Sequence, residues 1–442
     1  MSHPEPGFKR ELGLLDAAAV VAGAIIGVGI FANPSNVARI LGDSRLILLA
    51  WSLGGAVALL GGFAYAELGS RLPQVGGQYV YLARAYHPVI GFLYGVALLF
   101  IINGGALAAV AILFASYLDR AFLPLGPFGI RLTAAAVLIL LTAINAVGIR
   151  AGKWTNNLLM AAKVLGMLAL IGMALTHRGA ADSLGRMPVS VPPDKGLLGL
   201  LLTALVPIMF AYGGWQNCGS VAGEIKNPAR NLAWANIIGV IVVVVLYLGL
   251  NLAYLRVLTP GAVAASPALA SDMARAVAGE LGARFVAALI LVSSLGFLSV
   301  VVLTGPRLYY AMAKDGLFFR RAGHLHPRYH TPTYTLWFQT AVSVALLATN
   351  SYDQLLSYVV FADWLFFGLT AGALFVLRRR DPHPAGVFSM PGHPVTTGLF
   401  VLVAVGIVVN SFFAYTQQSV IGTAILLGAT AIYFGALSRR ED

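Results

Sequence analysis

Residues 23–34 read GAIIGVGIFANP and residues 207–215 read PIMFAYGGW, and both stretches lie inside long apolar runs. Glycine weakens a helix and proline removes a backbone hydrogen-bond donor, so each run predicts a helix that is interrupted near its middle. A break at membrane depth is tolerated only where it is buried in protein or lines a cavity. The two stretches therefore predict a membrane protein in which two broken helices face a cavity.

The composition excludes a soluble protein. Of the 442 residues, 59% are hydrophobic and 10% are Asp, Glu, Lys or Arg, whereas soluble proteins are about 45–50% apolar and about 25% charged. The formal net charge of +12 comes from basic residues that are scattered through loops, so we expect no nucleic-acid partner. The single Cys218 excludes an intramolecular disulfide and a cysteine-based metal site. For the same reason no disulfide-linked partner subunit is expected.

Apolar runs between charged or Pro/Gly-marked segments predict twelve transmembrane spans. If the N-terminus is cytoplasmic, the cytoplasmic segments carry the larger share of Lys and Arg, including the run at 378–380. The positive-inside rule then predicts a multi-pass protein of the cytoplasmic membrane with both termini in the cytoplasm. The predicted spans are 13–38, 46–69, 89–117, 132–148, 155–175, 197–223, 232–255, 280–312, 333–349, 354–377, 395–415 and 419–437.

The two interrupted spans are the first and the sixth, which are equivalent members of two five-helix halves. Broken helices in corresponding positions of two halves indicate an inverted-repeat transporter with its binding site at the breaks. Glycines that merely let helices pack closely are the alternative. The expected fold is an all-α, LeuT-like membrane protein with a 5+5 inverted repeat and two further helices. We expect one domain, 1–442, with repeats at about 13–175 and 197–377 and helices 11 and 12 at about 395–437.

Four motifs occur in order along the chain: GVGIF at 27–31; FAYAELGSRLPQVGGQYVY at 63–81; FAYGGW at 210–215 with EIKNPARN at 224–231; and RLYYAMAKDG at 307–316, followed by His326-Pro-Arg328 and Thr331-Pro332. Together they resemble the amino acid–polyamine–organocation transporters (the APC superfamily), and within them the L-type amino acid exchangers and their bacterial relatives. The resemblance covers nearly the whole chain and implies transport of α-amino acids.

The two breaks predict how an amino acid would bind. Where the first helix restarts, free N–H groups at the positive end of a helix dipole favour a carboxylate. Where the first and sixth helices stop, carbonyls without helical partners can accept from an ammonium group. By resemblance these are the substrate-contacting positions of the family, and one aromatic side chain is the gate. The residues are Ile25, Gly27, Val28, Gly29, Phe210, Ala211 and Gly213, with Phe210 as the gate.

Three positions depart from the family pattern. Val28 stands where the family has serine, so a hydroxyl contact to the carboxylate is lost while the backbone donor remains. Gln216 replaces an asparagine and Ala233 replaces a proline, and neither change has an assigned consequence. For Phe210, ordinary packing between helices is the alternative to a gate.

Lys163 is a lone cation in the middle of the predicted fifth span. A charge there is expensive and points to function, although a lysine that snorkels to the interface is the alternative. The resemblance places it at the fifth-helix lysine of L-type exchangers, where the ammonium occupies the region that related symporters use for sodium. It would then bridge the broken first helix to hydroxyls on helix 8, from Ser293, Ser294 or Ser299. A proton carrier is the other reading of Lys163.

Further charges lie in or near the spans. Asp363, in the tenth span, has three readings: attraction of a cationic substrate side chain, pairing with Lys163, or a structural bond at a helix end. Glu67 and Glu224 end the second and sixth spans on the cytoplasmic side, which predicts an inner-gate ion network or, alternatively, solvated surface charges. The neighbouring cations are Arg71, Lys226 and Arg230.

Other functional classes fit the sequence less well. A membrane-embedded enzyme needs clustered His, Asp or Glu inside the spans, but the histidines lie in termini or loops, and His324, His326 and His330 lack nearby carboxylates. We therefore expect no metal and no cofactor. A channel would need a repeated pore segment, which is not visible. The sequence predicts a sodium-independent transporter of neutral L-amino acids, most simply an exchanger in contact with membrane lipid. A proton-coupled symporter using Lys163 and a transporter of cationic amino acids or polyamines using Asp363 are the alternatives.

Overall fold

The computed structural model describes residues 8–177, 196–349, 352–382, 386–414 and 416–437. Within these ranges the chain is helical and its one β-type contact is an isolated parallel bridge between Leu12 and Ile225. The helices are α1 (Leu14–Ile25), α2 (Gly29–Leu41), α3 (Ser44–Arg71), α4 (Gln78–Ala85), α5 (Pro88–Ala97), α6 (Asn103–Ala121), α7 (Gly126–Ala146), α8 (Ile149–Thr176), α9 (Leu197–Tyr212), α10 (Asn217–Ser220), α11 (Pro228–Val257), α12 (Pro260–Ala265), α13 (Leu269–Lys314), α14 (Thr333–Thr349), α15 (Tyr352–Arg380), α16 (Val395–Ala414) and α17 (Thr416–Ile432).

A helix lies at the position of every predicted span. In the described part of the chain, ten helical segments are long and apolar enough to cross a membrane, and α1 with α2, bent by 43°, makes an eleventh. The helix at the predicted ninth span, α14, has 17 residues and is shorter than these. The count of twelve and the inverted repeat therefore stay predictions. Parts of the predicted domain lie outside the described residues, namely 1–7, 178–195, 350–351, 383–385, 415 and 438–442.

Two features of the fold differ from the hydropathy pattern. The helix at the predicted eighth span is much longer than 280–312, because α13 begins at Leu269 and is interrupted by non-helical backbone at Ala278 and Gly279. Its first turns carry Asp272 and Arg275, and such polar residues interrupt the apolar run by which a membrane helix is recognised in a sequence. The short helices α4 and α12 were not predicted either, since neither is an apolar run of membrane length.

Both predicted helix breaks are confirmed. Residues 26–28 separate α1 from α2, and residues 213–216 separate α9 from α10. Gly214 has φ +138°, and a Cβ there would lie 2.7 Å from the carbonyl carbon of Ala24. Only glycine fits this backbone conformation and this approach, so the glycine pair ends α9 and lets the second break lie directly against the first.

The two broken helices also touch on the other side of the first break. A Cβ on Gly29, the first residue of α2, would lie 2.9 Å from the Cα of Ala211 near the end of α9. Helix α11 packs against α1 and α3, while α13 packs against α8 and α6. The crossing of the broken helices is therefore enclosed by the rest of the bundle.

Candidate functional site

A cavity of about 70 Å³ lies at the crossing of the two breaks. All seven residues predicted to contact a substrate are among those that line it. Helices α6, α13 and α15 supply further walls, which are largely apolar. The other lining residues include Asn103, Asn217, Val359, Asp363 and Phe367.

Backbone donors are available where α2 begins. Among the described residues, no hydrogen-bond partner is found for the N–H groups of Val28 and Gly29, whereas the Gly27 N–H donates to the Ile25 carbonyl at 2.8 Å. The first N–H groups of a helix have no partner within it and carry the positive end of its dipole. Two of the three predicted donors are thus free to meet an anion, and the third is already paired.

The carbonyl groups at the two breaks are only partly free. The hydroxyl of Tyr247, on α11, lies 3.0 Å from the Ile25 carbonyl oxygen and 3.2 Å from that of Ala211, within donating distance of both. These two carbonyls therefore have a partner, unlike the sequence expectation. Among the described residues, the carbonyls of Phe210 and Gly213 accept no hydrogen bond, which leaves them as acceptors for an ammonium group. The Phe210 side chain is half-buried at the cavity wall.

Lys163 holds the end of the first broken helix. Its side chain has no exposed surface, and its Nζ donates to the carbonyl oxygens of Gly23 at 3.1 Å and Ile26 at 2.5 Å. The snorkelling alternative is therefore wrong. Gly296, on α13, lies directly against the ammonium, because a Cβ there would overlap Cε of Lys163 and lie 2.8 Å from its Nζ.

The predicted serines contribute less than expected. Ser293 donates to the Gly27 carbonyl at 3.2 Å, so it binds the first break, and it has no hydrogen bond with Lys163 among the described residues. Ser294 donates to Ile290 of its own helix at 2.8 Å. The Ser299 hydroxyl has no hydrogen-bond partner in the described part of the chain. The expected bridge from Lys163 to these hydroxyls is wrong, since the bonds made by the ammonium go to carbonyls that the break has freed.

Asp363 lines the cavity and is partly buried. It forms no hydrogen bond or salt bridge with another described residue, and Lys163 is not in the cavity lining. The readings of Asp363 as a partner of Lys163 and as a structural bond at a helix end are not supported. Its place in the lining leaves the remaining reading, the attraction of a cationic substrate side chain, as a prediction.

The sequence profile of amino acid permeases matches residues 12–437, nearly the whole chain. The chain belongs to the amino acid permease family. The resemblance to APC transporters is therefore confirmed.

The relatives of this permease include the serine/threonine exchanger SteT of Bacillus subtilis (strain 168), which is 28% identical over the full length of both chains. The mouse b(0,+)-type amino acid transporter 1 is 29% identical over 85% of this chain and 77% of its own. The human large neutral amino acids transporter small subunit 2 is 29% identical over 97% of this chain and 80% of its own.

Buried ion pairs join helices at one end of the permease. The Glu67 carboxylate has no exposed surface and accepts from Arg71 at 2.8 Å and from Arg378 at 2.6 Å. Glu224 pairs with Arg307 at 3.0 Å, and both side chains are buried. The alternative of solvated surface charges is therefore wrong for both glutamates. The partner of Glu224 is Arg307, 83 positions later in the chain, rather than the predicted neighbours Lys226 or Arg230.

The N-terminal segment of the permease lies against the same end. The backbone N–H groups of Glu11 and Leu12 both donate to the Glu224 carbonyl at 2.9 Å, and the Lys226 N–H donates to the Leu12 carbonyl at 2.9 Å. Arg150 donates to the Glu11 carboxylate at 3.0 Å, and this hydrogen bond lowers the pKa of Glu11. The segment thus fastens the exit of the sixth span to the start of α8.

Among the described residues, no group of three His, Cys, Asp or Glu side chains is placed to hold a metal ion. In the loop that contains His324 and His330, the His326 Nδ1 atom accepts from the backbone N–H of Arg328 at 3.2 Å. This histidine thus takes part in a local turn.

Sequence reasoning missed Tyr247, Gly296 and Asn103 at this site. A tyrosine or an asparagine inside an apolar run is a weak signal of a polar role, and both Tyr247 and Asn103 lie in predicted spans. Asn103 lines the cavity, and its Nδ2 has no hydrogen-bond partner among the described residues. Gly296 gave no signal, since it looks like any small residue that lets helices approach.

Proposed function

We propose that this permease carries neutral L-α-amino acids across the cytoplasmic membrane by alternating access, without sodium, as an exchanger with cytoplasmic termini. The observation that carries the proposal is that the cavity lining contains both hydrogen-bond donors and hydrogen-bond acceptors without partners. Unpaired N–H groups of Val28 and Gly29 and unpaired carbonyls of Phe210 and Gly213 all belong to its lining. A zwitterion supplies a carboxylate for the first pair and an ammonium for the second, and it leaves no buried polar group of either pair unmet.

Sodium independence rests on Lys163. A sodium ion would need several oxygen ligands, and the carbonyls of Gly23 and Ile26 freed by the first break already accept from the lysine ammonium. The fixed cation neutralises the carbonyl end of α1 in every half-cycle, so an imported cation is not required there. This agrees with what the resemblance to L-type exchangers implies for the fifth-helix lysine.

Exchange is supported by a relative and by the unpaired groups. SteT carries the description of a serine/threonine exchanger. In this chain, water in a substrate-free cavity would meet the Val28, Gly29, Phe210 and Gly213 backbone groups with neutral hydrogen bonds, whereas a zwitterion meets them with charge-assisted ones, which are roughly twice as strong. Reorientation of the loaded carrier is then favoured over reorientation of the empty one. A carrier that reorients mainly when loaded must return with a second substrate, so it acts as an exchanger.

Uptake of a labelled neutral amino acid into sodium-free proteoliposomes tests the proposal. We expect uptake to require unlabelled amino acid inside and to be unaffected by an imposed proton gradient. Uptake into empty vesicles that follows an inward proton gradient would instead establish a proton-coupled symporter, with Lys163 as the leading proton carrier.

A matched pair of lysine variants tests the role of the ammonium. Lys163→Met removes the buried cation and leaves two carbonyls unpaired, so sodium-free exchange should fall at least tenfold. Lys9→Met removes the same charge from an exposed position and should exchange as the wild type does. Equal exchange by both variants would overturn the explanation of sodium independence.

A further inference from the structure

The face of α15 that turns to the cavity carries a carboxylate. Val359, Asp363 and Phe367 are spaced four residues apart, and all three are in the cavity lining. Residues four apart lie on the same face of a helix. Asp363 therefore projects from the cavity side of α15, between two apolar side chains.

This carboxylate has no counter-ion. Asp363 is the one ionisable residue in the described lining of the cavity, and no described side chain forms a salt bridge with it. A carboxylate at membrane depth is costly unless it meets a partner. Asn217, another polar lining residue, is by contrast satisfied, since its Oδ1 accepts from Thr304 at 2.8 Å and its Nδ2 donates to the Gly214 carbonyl at 3.0 Å.

The size of the cavity limits what that partner is. One water-sized group needs about 10–15 Å³ of such volume, so a cavity of about 70 Å³ holds about five to seven of them. The ammonium, Cα and carboxylate of an amino acid take five non-hydrogen atoms. The remaining room, for no more than about two atoms, suits the side chain of alanine or serine and excludes the long chain of lysine or arginine.

We propose that Asp363 is a specificity residue that selects α-amino acids with a short side chain ending in a hydroxyl group. The proposal rests on the proposed function, since it concerns the side chain of a substrate held by the two breaks. A hydroxyl donates to an ionised carboxylate and accepts from a protonated one, so it satisfies Asp363 in either state. A methyl group of the same size leaves the carboxylate unpaired.

The discriminating substrates are serine and 2-aminobutyrate, whose side chains each have two non-hydrogen atoms and end in a hydroxyl and a methyl group respectively. We expect unlabelled serine to compete with labelled substrate about ten- to hundredfold better than 2-aminobutyrate in wild-type proteoliposomes, because hydrogen bonds to charged groups have this strength. In Asp363→Leu the serine-to-2-aminobutyrate ratio should fall to near one. Asp381→Asn, an exposed carboxylate just beyond the end of the same helix, is the control and should keep the wild-type ratio.

Three outcomes distinguish the ideas. A wild-type ratio near one, with serine and 2-aminobutyrate both exchanged, overturns the role of Asp363 and leaves the proposed function intact. The role of Asp363 is also overturned if lysine competes best, since the site would then bind long cationic side chains. If no α-amino acid competes or exchanges at all, the proposed function fails and the specificity proposal fails with it. The ratio is compared within each folded variant, as checked by a monodisperse profile in detergent, so a general loss of activity does not mimic the expected change.

Discussion

The contact between Gly296 and Lys163 offers a sharp test of how the first helix break is held. In Gly296→Ala the new Cβ would overlap Cε of Lys163 and lie 2.8 Å from its Nζ. Carbon atoms in contact prefer a separation of about 3.5–4.0 Å, so the end of the lysine must move by about 1 Å or more. Because the ammonium is held by carbonyls at 3.1 Å and 2.5 Å, such a shift breaks at least one of its two hydrogen bonds.

The magnitude follows from that one bond. A hydrogen bond to a charged group contributes about 1.5–3 kcal/mol, and about 1.4 kcal/mol corresponds to a factor of ten. We expect Gly296→Ala to reduce the rate of sodium-free amino acid exchange in proteoliposomes by about tenfold or more. Gly172→Ala is the matched control: nothing lies within 4 Å of a Cβ at that exposed position of α8, so exchange should be unchanged.

A double-mutant comparison tests whether Gly296→Ala acts by displacing the Lys163 side chain. The methionine side chain introduced by Lys163→Met would be flexible and make no hydrogen bond, so it can move aside. Gly296→Ala should therefore lower the thermal unfolding midpoint more in the wild-type background than in the Lys163→Met background. Equal shifts in the two backgrounds, or wild-type exchange by Gly296→Ala alone, would refute the reasoning.

Two further substitutions test a contact at the helix breaks and a buried ion pair at one end of the permease. Tyr247→Phe removes the donor shared by two carbonyls at the helix breaks, at a cost of about 1–3 kcal/mol, and exchange should fall about fivefold or more. Tyr254→Phe, on the same helix, removes a buried hydroxyl with no hydrogen-bond partner in the described part of the chain, and exchange similar to Tyr247→Phe would contradict the assignment. Arg307→Met leaves Glu224 buried and unpaired, which should destabilise the protein by about 3–5 kcal/mol in chemical or thermal unfolding. Arg150→Met breaks an ion pair whose arginine is 78% exposed and should lower the free energy of unfolding by no more than about 1 kcal/mol. A larger loss of stability in Arg150→Met would contradict the argument that burial makes the Arg307 pair the more important of the two.

The sequence was sufficient for the features that depend on local chemistry. The breaks follow from Gly27, Gly29, Gly213 and Gly214, since glycine ends a helix wherever the backbone must turn or approach closely. The position of nearly every predicted span follows from hydropathy, because a helix that crosses the hydrocarbon core of a membrane needs a continuous apolar run. Lys163 stood out because a lone cation in such a run is costly.

What the sequence could not provide are partners that the fold brings together from distant positions. Tyr247 and Ile25 are 222 positions apart, and nothing near either residue predicts their hydrogen bond. Glu224 was assigned to cations close to it in sequence, whereas its partner Arg307 comes from α13. The helical segments 269–277 and 78–85 were missed because each is short and carries polar residues, so neither forms an apolar run of membrane length.

The separate supports of the two breaks explain why a bound amino acid would matter to the conformation. The end of α1 is held by Lys163 from α8 and by Tyr247 from α11, whereas the end of α9 shares only the Tyr247 hydroxyl through Ala211. A hydroxyl has one proton, so it cannot fully satisfy both carbonyls at once. A substrate that meets the start of α2 with its carboxylate and the Phe210 carbonyl with its ammonium would supply a second link between the broken helices. More of the polar groups at the two breaks are then bonded in the loaded carrier than in the empty one, and an exchanger needs such a difference to reorient only when loaded.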